Sequence, residues 1–133
     1  MRYEFSPQVF CKEVSELRYS VGWNEMEECY KYSLKRSYFY ICCYEDNKLI
    51  GFLDVVSNGV TDAYIQDVMV NPNYQGKGVG TNLIKLAIDK LKEDKIYMIS
   101  VIFQESLLSF YKKIGFNILL AGQMETSPIN KKS

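Results

Sequence analysis

The segment that most narrows what this chain can fold into runs from Asp67 to Ile84, with Gln75-Gly76-Lys77-Gly78-Val79-Gly80 at its centre. The apolar, β-branched residues up to Val70 predict a strand, and Asn71-Pro72-Asn73 ends it. A helix is expected over Thr81–Lys92, where Leu83, Ile84, Ala87, Ile88 and Leu91 form one apolar stripe. The first amides of that helix have no partner inside it, and the helix dipole gathers partial positive charge there. Glycines at 76, 78 and 80 let the backbone approach a bulky anion, so the turn reads as a phosphate or pyrophosphate cradle. Two familiar cradles are excluded. A Walker-type loop needs Ser or Thr after its lysine, and Lys77 is followed by Gly78. A dinucleotide fingerprint needs its third glycine where Thr81 stands, and an acid about 20 residues on, where the chain has Ile96 and Tyr97.

The flanking pattern gives the order β-α-α-β-β-β-α-β-α-β. Met1–Phe5 predicts a first strand, and Ser6-Pro7 opens a helix carrying Val9, Phe10, Val14 and Leu17. Asn24 is expected to cap a second helix, with Glu25, Glu27 and Glu28 in its first turn. Strands follow over 38–44, 49–56 and 63–70, joined by short turns and therefore antiparallel. A buried strand is expected over 96–103, a helix over 105–114 closed by Gly115, and a last strand over 116–120, with a short one near Met124. The strand–loop–helix–strand unit over 63–103 predicts a right-handed parallel crossover. The fold class is α/β: one domain with a mixed, mostly antiparallel sheet and helices on both faces.

Composition removes several chemistries. With 133 residues one core suffices, and there is no histidine, which excludes Ser-His and Cys-His nucleophilic pairs. Four cysteines without a Cys-x-x-Cys spacing give no zinc site, so no metal is expected. The four cysteines, Cys11, Cys29, Cys42 and Cys43, are expected as small buried thiols of a reducing compartment, with the adjacent Cys42 and Cys43 facing opposite ways on a strand. No apolar run reaches the ~20 residues that cross a bilayer, and the start lacks a secretory layout. Membrane association is not expected, and a cytoplasmic location is. Residues 1–70 carry 11 acidic and 7 basic residues and residues 71–133 carry 5 and 9, leaving a net charge of zero. That balance argues against nucleic acid as a partner and suits an anion met by the second half.

The Gln-x-x-Gly-x-Gly turn after a strand ending in Val-Asn-Pro resembles the signature of the GCN5-related N-acetyltransferase family. Phe110-Tyr111-Lys112-Lys113-Ile114-Gly115-Phe116 is similar to its second landmark, a helix carrying Phe-Tyr-x-x-x-Gly-Phe. The resemblance covers residues 38–120 by sequence and the first two helices by topology. It implies a single N-acetyltransferase domain over residues 1–126, a flexible tail over 127–133, and strands that splay apart beside the glycine turn.

The resemblance further implies acetyl-CoA as acyl donor. Its pantetheine arm would lie along Val68, Met69 and Val70, and its pyrophosphate on the amides of Gln75, Gly76, Lys77, Gly78, Val79, Gly80 and Thr81. Gln104 and Leu107 stand where the family often has Asn and Ala; Gln104 still offers hydrogen bonds to the arm, and Leu107 narrows the channel. Tyr111 matches the tyrosine that protonates the departing thiolate, and Lys112 and Lys113 lie in reach of a 3′-phosphate. A carboxylate base is found in some members at the position of Tyr64; without one there, Asp67 and Asp54 are the nearest acids. The expected reaction is direct attack by a primary amine of a small molecule, preferentially a cationic one drawn by Glu25, Glu27 and Glu28. A homodimer is within the family's habit. The rival reading is a non-catalytic acyl-CoA-sensing or protein-interaction module on the same fold.

Overall fold

The computed structural model describes residues 1–127, so the tail expected at 127–133 lies, except for Ser127, outside the described residues. In chain order the elements are β1 (Arg2–Phe5), α1 (Cys11–Ser20), α2 (Glu27–Arg36), β2 (Phe39–Glu45), β3 (Lys48–Ser57), β4 (Asp62–Val70), α3 (Val79–Glu93), β5 (Met98–Val101) and α4 (Leu108–Ile114). The strands stand in sequence order in one sheet, antiparallel from β1 to β4, with β5 parallel to β4. Short turns force the antiparallel pairs. Asp46 and Asn47 both adopt left-handed backbone, φ 49° and 64°, which matches the twist of the β2–β3 hairpin. Asn58 builds the next turn by accepting the N–H groups of Val60, Thr61 and Asp62 on its side-chain oxygen.

Alternation along the strands divides the core between two faces. Ile41, Cys43, Leu53, Val55 and Ile65 pack beneath α3, whose Val79, Leu83, Ile84, Ala87 and Leu91 are buried. Cys42, Phe52 and Met69 face the other way, against Val14 and Leu17 of α1 and Tyr30 of α2. The two neighbouring cysteines thus serve separate cores. Among the described residues no helix is long and apolar enough to cross a membrane.

Several boundaries depart from the sequence pattern. α1 starts at Cys11 without a side-chain cap, because Ser6 turns left-handed (φ 46°) and sends its N–H to the Tyr40 carbonyl. α2 starts at Glu27 rather than after Asn24: Asn24 is engaged by Arg18, and the Met26 N–H goes to Ser15 Oγ at 2.8 Å. Residues 105–107 form a 3-10 turn ahead of α4. β5 has only four residues and alternates exposed with half-buried, so it is an edge and not a buried strand. No strand forms over 116–120 or near Met124: after Phe116 the chain runs exposed, with Leu119 and Leu120 open to solvent. A β-rich composition makes a strand only where a neighbour offers a ladder, and here none is beside it.

Gly51 sits where the sheet meets the start of α3. A Cβ there would lie 2.8 Å from Val79 Cγ1 and 3.2 Å from Cys43 Cβ, so only hydrogen lets the helix seat. Gly51→Ala should cost ~1–3 kcal/mol by overpacking, read as a lower urea midpoint at unchanged slope.

Candidate functional site

An extra residue in β4 opens the sheet. β3 and β4 are in register at Asp54↔Gln66 and again at Phe52↔Met69, which leaves Leu53 opposite both Asp67 and Val68. Such a bulge bends its strand. Asp67 absorbs it with left-handed backbone, φ 53°, a conformation that aspartate tolerates better than most residues. Its carboxylate is held on both oxygens, by Arg18 Nη1 at 3.2 Å and by the Tyr30 hydroxyl at 3.0 Å. Burial, and then the carboxylate's charge, pushes the Tyr30 pKa up, so this hydroxyl stays a donor. Arg18 continues to the loop after α1, donating Nε to the Asn24 carbonyl at 2.7 Å and lying 5.1 Å from the Trp23 ring. Asp67 thereby ties the bulge to α1 and α2.

Beyond the bulge, β4 and β5 part. Their parallel ladder runs from Asp62↔Met98 to Ile65↔Val101 and stops. From there to Val70 the β4 main chain has no strand on that side. Met69 is buried beneath α1 and α2, while Val68 and Val70 pack toward α3. Any ligand in the gap therefore meets Met69 through backbone alone.

The glycine turn closes the gap's end. Gln75 Nε2 donates to the Val70 carbonyl at 2.9 Å and folds the turn back on its strand. Gly76 and Gly78 have φ 76° and 86°, where a side chain would be strained. α3 starts at Val79, two residues earlier than its apolar stripe indicates. The first amides of α3 precede its i→i−4 series, which begins at Asn82, whose N–H goes to the Gly78 carbonyl at 2.9 Å. The Lys77 ammonium turns aside to lie 5.3 Å from the Tyr74 ring.

Val68, Val70, the turn and first turn of α3, Leu107 and Tyr111 line one cavity of about 580 Å³. Tyr111 is 4% exposed, its ring stacked on Phe103 at 4.3 Å and edge-on to Phe110 at 5.0 Å. Burial pushes its pKa up. Among the described residues its hydroxyl has no hydrogen-bond partner, and the residue lines the cavity. Tyr64 lies outside this cavity, on the sheet face it shares with Gln66 and Asp54. Its pKa is raised by burial and then by Asp67. Gln104 caps the 3-10 turn, its carbonyl taking the Leu107 N–H at 2.9 Å. Val21, at the end of α1, also lines the cavity, and no sequence signal marks it. Glu27 and Glu28 are exposed on α2, Glu28 pairing with Lys31 at 2.7 Å. Among the described residues no group of acids, cysteines or histidines is arranged to hold a metal.

A bulged, parted sheet beside a glycine-turned helix start defines an acetyltransferase-like fold, and solved structures agree. A protein from meticillin-resistant Staphylococcus aureus, described as a probable acetyltransferase, matches with a TM-score of 0.82 at 22% identity, covering 96% of this chain and 100% of that one. An acetyltransferase of the GNAT family from Streptococcus pneumoniae matches with a TM-score of 0.78 at 25% identity, covering 95% and 97%. The chain belongs to the Acetyltransferase (GNAT) family, whose model matches residues 7–116. It is 34% identical over 109 residues to the uncharacterized N-acetyltransferase ycf52 of Pyropia yezoensis, spanning 78% of this chain and 63% of that relative's length. Over 72 residues it is 35% identical to GCN5-related N-acetyltransferase 2, chloroplastic, of Arabidopsis thaliana, covering 54% of this chain and 28% of that one.

The bulge tie is testable by itself. Arg18→Met leaves the half-buried Asp67 carboxylate without its cation and should cost ~1–3 kcal/mol. The loss should show in urea unfolding and shrink in the double variant Arg18→Met with Asp67→Asn.

Proposed function

We propose that this protein transfers an acetyl group from acetyl-CoA, bound in the cavity between β4 and β5, to a primary amine of a small molecule by direct attack. The reading is supported by convergence: the start of α3 with the glycine turn before it, the β4 edge beyond its ladder with β5, and Tyr111 all border one cavity. The amides and the α3 dipole suit a pyrophosphate. The main chain of Val68, Met69 and Val70 suits the amide groups of a pantetheine arm, with Gln104 near its far end. When bound, acetyl-CoA supplies the activated thioester. A main-chain N–H near Met69 or Val70 would hold the charge that develops on its carbonyl oxygen. Tyr111 keeps its proton at neutral pH because burial raises its pKa, and is the acid for the leaving thiolate.

The reading treats residues 1–126 as one catalytic domain, working alone or as a homodimer. Buried thiols at Cys42 and Cys43 suit the cytoplasm or an equally reducing compartment. The orientation of α2 does not support a preference for cationic amines, since Glu27 projects from the helix face opposite Cys29 and Ser33, which turn toward the sheet.

Acetyl-CoA at 100 times its dissociation constant should stabilise the fold by about 2.7 kcal/mol, visible as a rise of several degrees in Tm. No rise with any CoA species would remove the proposal. Tyr111→Phe keeps the ring stack and deletes the proton donor, so kcat should fall ~10²-fold or more with CoA affinity retained. A pure acyl-CoA sensor would bind acetyl-CoA yet release no thiol with any amine.

A further inference from the structure

A second cavity, of about 570 Å³, lies on the other face of the sheet, between α2 and the strands β3 and β4. Its α2 wall is Cys29, Tyr32, Ser33 and Arg36, residues spaced to share one helix face, and its floor is Asp54 and Gln66. Asp54 is 2% exposed. Gln66 Nε2 donates to its Oδ2 at 2.9 Å, while Oδ1 is the one buried side-chain polar atom among the described residues without a hydrogen bond. The Ser37 hydroxyl stands beside this carboxylate and beside the Ser33 carbonyl at 3.2 Å, so one hydrogen serves two acceptors. A carboxylate buried beneath a cavity with one oxygen short of a full hydrogen bond is costly to the empty protein, and such a cost persists where a ligand repays it.

Asp54 is one ladder pair from the bulge, on the face that Tyr64 and Gln66 share, and β4 bounds both cavities. Resting on the acetyltransferase reading above, we propose that this second cavity binds the acceptor, that Asp54 takes the proton from its ammonium group, and that Arg36 binds an anionic group on the same molecule. The acceptor class is then an amine that also carries a carboxylate, an amino acid rather than a plain amine or a polyamine. Tyr32 and Arg36, which line the cavity from α2, are both exposed, so an acceptor reaches them from solvent.

The step balances without a further reagent. The ammonium gives one proton to Asp54, and the freed lone pair forms the N–C bond to the thioester carbonyl. The C–S bond breaks, the thiolate takes the Tyr111 proton, and the second nitrogen proton returns to the phenolate through water. Asp54 then releases its proton to solvent.

Burial raises the Asp54 pKa, opposed by hydrogen bonding from Ser37, Gln66 and the Val55 backbone. The titratable and charged groups facing it are Arg36 and Cys29 from α2, Asp67 from β4 and Tyr40 from β2. The sign is fixed: a carboxyl whose pKa is raised by folding costs stability once pH climbs past the unfolded value. Asp54→Asn should therefore be more stable than wild type at neutral pH, and the difference should vanish toward low pH where both are neutral.

The experiment pairs free amino acids with their decarboxylated amines as acceptors, reading thiol release, with Tm recorded with and without acetyl-CoA. Wild type should favour the amino acids in kcat/KM by about tenfold or more, and Arg36→Gln should collapse that ratio toward one. Asp54→Asn should lose about 10²-fold in kcat/KM while keeping the acetyl-CoA shift and gaining Tm at neutral pH. Preference for the plain amines, no turnover of any amino acid, or an Asp54→Asn protein with full turnover or lowered Tm overturns the inference. Absence of an acetyl-CoA shift in wild type instead overturns the donor reading beneath it.

Discussion

Asp67 is one residue too many for the ladder it occupies, and the working parts of the molecule depend on how that surplus is held. A bulge in a sheet interior bends the strand away from its neighbour. Here the bend falls where the parallel pairing of β4 with β5 ends, after Ile65 and Val101. A left-handed aspartate in mid-strand is not self-sustaining. It is kept by Arg18 and Tyr30, from the two helices on one face. Those helices thus determine a gap that opens toward the other face.

The second constraint is where the main chain leaves its amides. Gln75 and Asn71 use side chains to close the turn, and Gly76 and Gly78 take left-handed backbone on the way into α3. The lysine of the turn, Lys77, lies against Tyr74 instead of over the start of α3. The anion-attracting charge is carried by backbone dipoles, which are positioned as firmly as the helix they begin.

Local signals were legible in the sequence. The glycine turn, the α3 stripe, the hairpins and the helix carrying Tyr111 all follow from short-range chemistry, as does the division of Cys42 and Cys43 between faces. What sequence could not supply was non-local. The bulge is a mismatch between two strands, invisible in either alone. Asn24 has the chemistry of a cap, yet Arg18, six residues away, claims it. Residues 116–120 have strand composition but no ladder to join. The glutamates of α2 were expected to form an acceptor wall. The helix phase turns Arg36 toward the second cavity instead, and phase is set by Tyr30 packing on Phe52 (ring centroids 6.2 Å apart), not by charge.

Four ladder pairs are all that bind β5 to the sheet, and this ranks the parts of the protein by how readily they open. Regions with few buried ladder bonds come loose first, in excursions far short of global unfolding. Tyr111 rides on that weakly held portion. Its aromatic partners Phe103, Phe110 and Phe116 belong to the same stretch of chain, so the ring cluster is carried as one piece. The same rings also pack against the core beneath α3, so this lightly laddered edge is pinned by side chains more than by main-chain bonds.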